Sequence, residues 1–228
     1  MGTLYLVRHG QASFGAEDYD QLSALGQQQS HRLGQYFAEK GLVFDAVLTG
    51  TLRRQQQTYA AIQEGLRATG EATDSPSPLL WPGLNEFDSH AVIATVHPHP
   101  LDKPDTPERY RHHFRLLRDG LTQWMNGVVS PKGMPNYQDF RRGITSALDH
   151  VRKNYSGNVL IVSSGGPIAT AVGHVLGTSP ETTIELNMRL RNSAVTEFAF
   201  NPKRHSLMTY NTLPHLEHAD HASWITYA

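Results

Sequence analysis

Two short apolar runs in this chain end in residues that could do chemistry. Leu4-Tyr5-Leu6-Val7 leads into Arg8-His9-Gly10, and Val159-Leu160-Ile161-Val162 leads into Ser163-Ser164-Gly165-Gly166-Pro167. A short continuous apolar run bounded by polar residues reads as a buried strand. Open parallel sheets bind ligands beyond the carboxyl ends of their strands, so the two segments can share one pocket. A histidine beside an arginine at such a place suits phosphoryl chemistry. The imidazole can attack phosphorus while the guanidinium neutralises its oxygens.

The rest of the pattern supplies the elements that would hold these residues. Ser23 caps a predicted helix running to about Lys40, with Leu25, Leu33, Tyr36 and Phe37 on one face and Gly41 as its stop. Ala46 to Thr49 reads as a second strand. Leu52 to Ala68 reads as a helix with Tyr59, Ile62 and Leu66 inward and Arg53 and Arg54 near its start. Thr69 to Pro107 is rich in Pro, Ser, Asp and His and predicts a long surface excursion. Tyr110, Phe114, Leu117, Leu121 and Trp124 mark one further helical face, and Phe140, Ile144, Leu148 and Val151 another. Pro167 near the first turn and Ser179-Pro180 open two more helices. Residues 194–200 alternate, turn at Asn201-Pro202-Lys203, and alternate again to Tyr210, as a hairpin does. Strands alternating with helices predict a three-layer α/β/α sandwich around a mainly parallel sheet, with residues 1–228 as one domain and an excursion at about 69–107.

Composition narrows the function classes. The chain has 228 residues, and 20 Lys+Arg against 21 Asp+Glu give a formal net charge of -1. No global field draws it to nucleic acid or an anionic membrane, so any anion site is local. Fifteen of the twenty cations are arginine, the residue that grips phosphate bidentately. There is no cysteine, which removes thiol catalysis and thiolate metal sites. No apolar stretch approaches the roughly 20 residues needed to span a bilayer, and the N-terminus lacks a signal-peptide pattern. The expectation is a cytoplasmic protein with neither nucleic-acid nor membrane partner. No P-loop, dinucleotide fingerprint or EF-hand occurs, so no cofactor is implied.

Taken together the motifs resemble the histidine phosphatase superfamily, the phosphoglycerate mutase-like proteins. Leu4 to Gly10 is similar to the family's opening, and Leu22-Ser23-Ala24-Leu25-Gly26 to its Leu-Thr-x-x-Gly helix start. Leu48 to Thr58 resembles its Ser-Ser-Pro-Leu-x-Arg-Ala-x-Gln-Thr segment. Leu84-Asn85-Glu86 falls where its acidic proton donor stands, Phe140-Arg141 resembles a later helix signature, and Val162 to Gly166 resembles Val-Ser-His-Gly-Gly. The resemblance implies a phosphomonoester hydrolase with His9 as nucleophile and Glu86 as proton donor. It implies that Arg8, Arg54, Ser164 and Gly165 bind the phosphate, that Gln11 and Ser13 are further substrate contacts, and that no metal takes part. Its implied partner is a small-molecule phosphomonoester.

The family's second histidine is Ser164 here. Losing a charged donor to the transferring phosphoryl group costs roughly 2.7–4 kcal/mol, which points to reduced activity. The amides of Gly165 and Gly166 at a helix start, the Ser164 hydroxyl, or one of His90, His97 and His99 folding over the site could compensate. Gly15 stands where the mutases carry a substrate-binding Asn, which favours hydrolysis over mutase chemistry. Three other readings compete. In one the catalysis has decayed and the protein only binds phospho-ligands. In another Ser164 is a nucleophile on a strand–helix elbow with partners such as Glu217 and His218, although Val162 stands where that elbow needs Gly. In the third some of the 13 histidines, such as His215 and His218, bind metal, although their spacing specifies no complete ligand set.

Overall fold

A computed structural model describes residues 1–13, 20–68, 76–102 and 105–227. Its sheet has six strands in the order β3-β2-β4-β1-β5-β6. They are β1 (Gly2–Arg8), β2 (Ala46–Thr49), β3 (Leu79–Leu80), β4 (Asn158–Ser163), β5 (Val195–Asn201) and β6 (Arg204–Thr212). The pairs β1–β4, β2–β4 and β2–β3 are parallel, whereas β5 runs antiparallel to both β1 and β6. The helices are α1 (Ala24–Glu39), α2 (Arg53–Arg67), α3 (Ser89–Ala94), α4 (Pro107–Met125), α5 (Tyr137–Asn154), α6 (Gly165–Leu176) and α7 (Pro180–Arg189). No helix among the described residues is long and apolar enough to cross a membrane.

Side-chain alternation along the central strands divides the core into two layers. Val7, Leu160 and Val162 pack with Leu33 and Phe37 of α1 and with Tyr59, Ile62 and Leu66 of α2. Leu4, Leu6, Val159 and Ile161 face the other way, onto residues of α3 to α7 that include Trp124, Ile144, Ile168 and Ile184. The predicted α/β/α layering is thus present, and it follows from a period of two in strands whose faces are both covered. The central three strands, β2-β4-β1, end side by side at Thr49, Ser163 and Arg8, with Arg8 in register with Ser163.

Two expectations need correction. Residues 69–75 and 103–104 lie outside the described segments, but the rest of the predicted excursion is not merely surface. It contributes β3 to the sheet edge, and it buries Leu84, Val92 and Ile93 in the core. Its elements are too short, two residues for β3 and six for α3, to leave a periodic signal. On α4 only Leu117, Leu121 and Trp124 are buried among the expected inward positions. Tyr110 is 42% exposed and Phe114 is partly so.

The chain after β6 folds back beneath α1. His215 is buried and shares a 2.9 Å hydrogen bond with the Ser193 hydroxyl. Burial pushes its pKa down to about 3, with Arg32 and His221 adding to the shift. Between pH 6.5 and 3 the unfolded chain therefore binds a proton here that the native chain does not. Stability should therefore be lost as pH is lowered through this window, by about 1.4 kcal/mol per pH unit from this group. His205, lowered to about 4 by burial, and His9 act in the same direction, whereas Glu86 and Glu197, raised by burial, oppose it above pH 4.5. Urea unfolding at pH 6.5 and pH 5 should show a His215→Gln variant losing less stability than the wild type, by one proton's share. Equal losses would contradict this account.

Candidate active site

Arg8 and His9 leave the end of β1, and the His9 amide donates to the Ser163 carbonyl at 2.9 Å, so the first motif is stitched to the end of β4. Gly10 follows because α1 approaches closely. A Cβ there would lie 2.4 Å from the Gly26 carbonyl oxygen. Its amide donates to Thr58 Oγ1 of α2 at 3.0 Å. His9 is 3% exposed.

The hydrogen bonds of His9 fix its tautomer. Nδ1 lies 2.7 Å from the Gly10 carbonyl, which can only accept, and Nε2 lies 3.2 Å from Arg54 Nε–H, which can only donate. The proton is therefore on Nδ1, and the Nε2 lone pair is turned toward the guanidinium. Burial is the main cause holding the His9 pKa well below 6.5, and the charges of Arg8 and Arg54 add to it. A neutral imidazole with a free-base nitrogen beside two cations is the form that can attack an anionic electrophile.

Arg54 lies in the first turn of α2 and is nearly buried, while Arg53 is exposed. Asp20 holds it. One Asp20 carboxylate oxygen accepts from Arg54 Nη1 at 2.7 Å, and the other accepts from the Arg53 amide at 2.9 Å. Leu52 at the helix N-cap has no side-chain oxygen, so this distant aspartate performs the capping and aims the arginine in one contact. Arg8 Nη1 donates to the backbone carbonyls of Leu190 and Tyr227, the latter at 2.6 Å. Its charge reaches both His9 and Glu86.

Glu86 approaches from the segment after β3. That segment is pinned where the Leu84 carbonyl accepts from Ser163 Oγ at 2.7 Å and from Gln55 Nε2 at 3.0 Å. Asn85 adds a reciprocal pair with Thr51. Both Glu86 carboxylate oxygens then lie 3.1 Å from the Gly166 amide at the start of α6. Gly166 is required there, since a Cβ would meet Glu86 Oε1 at 2.3 Å and the Phe87 ring at 2.4 Å. Burial raises the Glu86 pKa above 4.5, against the opposing pull of the Gly166 amide and of Arg54 and Arg8. A carboxyl group raised this way carries its proton nearer to neutral pH, as a general acid must.

Ser164 is fully buried, and its hydroxyl accepts from Gln55 Nε2 at 2.9 Å. The amide can only donate, so the hydroxyl proton remains available to another acceptor. The sequence expected the Gly166 amide to face an anion, and the anion it meets is Glu86. Gln11 serves local structure: its side-chain oxygen accepts from the Ser23 hydroxyl at 2.8 Å, at the N-cap of α1. The Ser13 amide bonds the Gln21 carbonyl. Gly15 lies outside the described residues. His90, His97 and His99 gather around α4 beside His113 and do not fold over His9. His218 is exposed and paired with Asp220, so it is no partner for a Ser164 nucleophile. Among the described residues no group of three or more His, Asp or Glu is placed to hold a metal. Sequence reasoning missed Asp20 and Gln55. The signals were an acid immediately before the Gln21-Leu22-Ser23 helix start and a glutamine beside Arg54.

A family model, the histidine phosphatase superfamily (branch 1), matches residues 4–213. The chain belongs to that superfamily. A Hydrogenobacter thermophilus protein, whose name provisionally assigns it as phosphoserine phosphatase 2, is 23% identical over 227 residues, covering 94% of this chain and 98% of its own. Among solved structures this superfamily member resembles the Entamoeba histolytica phosphoserine phosphatase in complex with 3-phosphoglyceric acid. That likeness has a TM-score of 0.65 at 22% identity and covers 95% of this chain and all of that one. It also resembles Bacillus stearothermophilus YhfR, with a TM-score of 0.67 at 20% identity over 95% of this chain and 100% of that one. Together with a likeness to the Bacillus anthracis phosphoglycerate mutase, with a TM-score of 0.64 at 16% identity over 94% of each chain, they establish a phosphoglycerate mutase-like fold.

Proposed function

We propose that this phosphatase hydrolyses a small phosphomonoester in two steps through a phosphohistidine at His9 Nε2. The observation that carries the reading is the forced tautomer of His9, a buried ring whose Nε2 lone pair faces the buried Arg54 guanidinium. In the first step Nε2 bonds to phosphorus, the ester P–O bond breaks, and the leaving oxygen takes the proton of Glu86. In the second, the Glu86 carboxylate takes a proton from water, whose oxygen bonds to phosphorus as the P–N bond breaks and phosphate leaves. Arg8 and Arg54 hold the non-bridging oxygens through both steps. A cation set held in place by Asp20 and by backbone carbonyls needs little reorganisation when the transition state forms. The step requires no metal.

Ser164 stands in for the imidazole that relatives carry after β4. Oriented by Gln55, its hydroxyl donates a neutral hydrogen bond to a phosphoryl oxygen. A hydrogen bond to a charged group contributes about 1.5–3 kcal/mol, so Ser164→Ala should lower kcat by about 10- to 100-fold. Hydrolysis of p-nitrophenyl phosphate in excess EDTA, by wild type and Ser164→Ala, tests the reading. Metal-independent turnover that falls in the variant supports it. Inorganic phosphate bound through Arg54 without any turnover would instead make the protein a binder of phospho-ligands.

A further inference from the structure

A groove of about 750 Å³ lies between α4, α7 and the C-terminal segment. It adjoins the Arg8 end of the site, because Tyr227 lines it and accepts from Arg8 Nη1 through its carbonyl. Arg189, also in its wall, directly precedes Leu190, the second carbonyl on the same nitrogen. A phosphomonoester clamped at Arg8 and Arg54 has this groove beside it for its alcohol portion.

The lining has a definite chemistry. Four arginines, Arg111, Arg115, Arg118 and Arg189, line the groove, and no acidic residue does so among the described residues. This concentration occurs in a chain whose formal net charge is only -1. Arg111, Arg115 and Arg118 fall on one face of α4, where like charges three and four residues apart repel. Glu108 and Glu185, which are not among the lining residues, pair with Arg111 and Arg118, at 2.8 and 3.1 Å. Among the described residues neither Arg115 nor Arg189 pairs with a carboxylate. Aromatic surface accompanies the charge: Tyr110 and Phe114 have ring centroids 4.5 Å apart, and Tyr110 and Tyr227 are 42% and 53% exposed. Exposed rings interleaved with arginine suit a flat, anionic ligand, which the rings stack upon while the guanidiniums neutralise it. The volume is within the range of pockets that enclose a small molecule.

We propose that this groove binds the leaving-group portion of the substrate, and that the preferred substrate is a phosphomonoester whose alcohol carries a planar ring and a second phosphate, as in a nucleoside bisphosphate. The proposal rests on the phosphatase reading for its catalytic arm only. Arg115 and Arg189 set selectivity, and the chemistry stays with His9.

The test compares kcat/KM for adenosine 3′,5′-bisphosphate and for glycerol 2-phosphate, a compact ester without a ring or second anion. The wild type should prefer the bisphosphate at least tenfold, and the doubly substituted Arg115→Ala, Arg189→Ala protein should lose at least tenfold of that ratio. Both side chains are exposed, so the variant keeps the core intact. A second arm measures equilibrium binding of adenosine 3′,5′-bisphosphate and of inorganic phosphate to His9→Ala protein by calorimetry, with and without the two arginine changes. The bisphosphate should bind at least tenfold more weakly without the arginines, and phosphate affinity should change far less. No preference in the wild type, or parallel losses on both ligands, would overturn the proposal. Absent turnover with arginine-dependent bisphosphate binding would count against the phosphatase reading and leave the groove assignment standing.

Discussion

Replacement of His9 by Ala is expected to reduce turnover of any phosphomonoester by at least ~10⁴-fold, equivalent to about 5.5 kcal/mol of transition-state stabilisation. The magnitude follows from what the side chain supplies. His9 contributes a nitrogen lone pair held against the Arg54 guanidinium and under the charge of Arg8, and its Nδ1 proton is fixed on the Gly10 carbonyl so that the ring cannot present the wrong tautomer. Without it, water would have to attack the phosphoryl group directly while both arginines still bind the substrate. Phosphate affinity should therefore survive in His9→Ala although kcat does not. Steady-state kinetics on purified variant, with phosphate binding measured in parallel, checks both halves. A variant that keeps more than a hundredth of wild-type kcat would remove His9 from the nucleophile's role.

The second large effect belongs to Glu86. Glu86→Gln keeps the shape and can still receive the Gly166 amide through its carbonyl oxygen, but it has no proton to give to a leaving alkoxide. Loss of a positioned general acid lowers rates by about 10²- to 10⁴-fold. Slowed attack of water on the phosphohistidine limits kcat for every ester, but the loss in kcat/KM, which reports transfer to His9, should depend on the leaving group: near its maximum for an alkyl phosphate, and much smaller for p-nitrophenyl phosphate, whose phenolate departs unaided. A general defect in folding or binding would lower both equally. The pH profile gives a further check. Activity needs neutral His9 and protonated Glu86. It should fall as pH drops through the His9 pKa, which burial and two arginines hold below 6.5, and fall again as pH rises through the Glu86 pKa, which burial holds above 4.5. In Glu86→Gln the alkaline limb should disappear.

How much of this was legible in the sequence depended on how local each contact is. Arg8 and His9 could be placed at a strand end because the apolar run before them and the residues themselves are contiguous. The partnership with Ser163 and Ser164 followed from the same strand rule and matches the register of β1 with β4. Asp20 was missed because its work is done on α2, 33 residues later in the chain, where Leu52 gives no hint that a cap comes from elsewhere. Gln55 is the first of three consecutive glutamines that the sequence does not distinguish, yet it is fully buried and joins Ser164 to the Leu84 carbonyl. The periodicity of α4 gave the correct face for Leu117, Leu121 and Trp124. It could not show that Tyr110, on the same face, runs past the core, or that Phe114, packed on the core's margin, also lines the arginine groove. The amides of α6 were expected to meet a substrate anion, and the protein's own carboxylate takes Gly166. A sequence shows that a helix start attracts negative charge, not which negative charge reaches it first.

Two-step hydrolysis at His9 requires a covalent phosphoryl–His9 intermediate, and trapping it tests the mechanism. Enzyme mixed with excess p-nitrophenyl phosphate, quenched in alkali within a turnover and digested, can be searched by mass spectrometry for a phosphorylated peptide. One acid-labile phosphoryl group is expected on His9, absent from His9→Ala and accumulating in Glu86→Gln, where the good leaving group departs but water is poorly activated. Turnover with no label on His9, or with the label on Ser164, would contradict it.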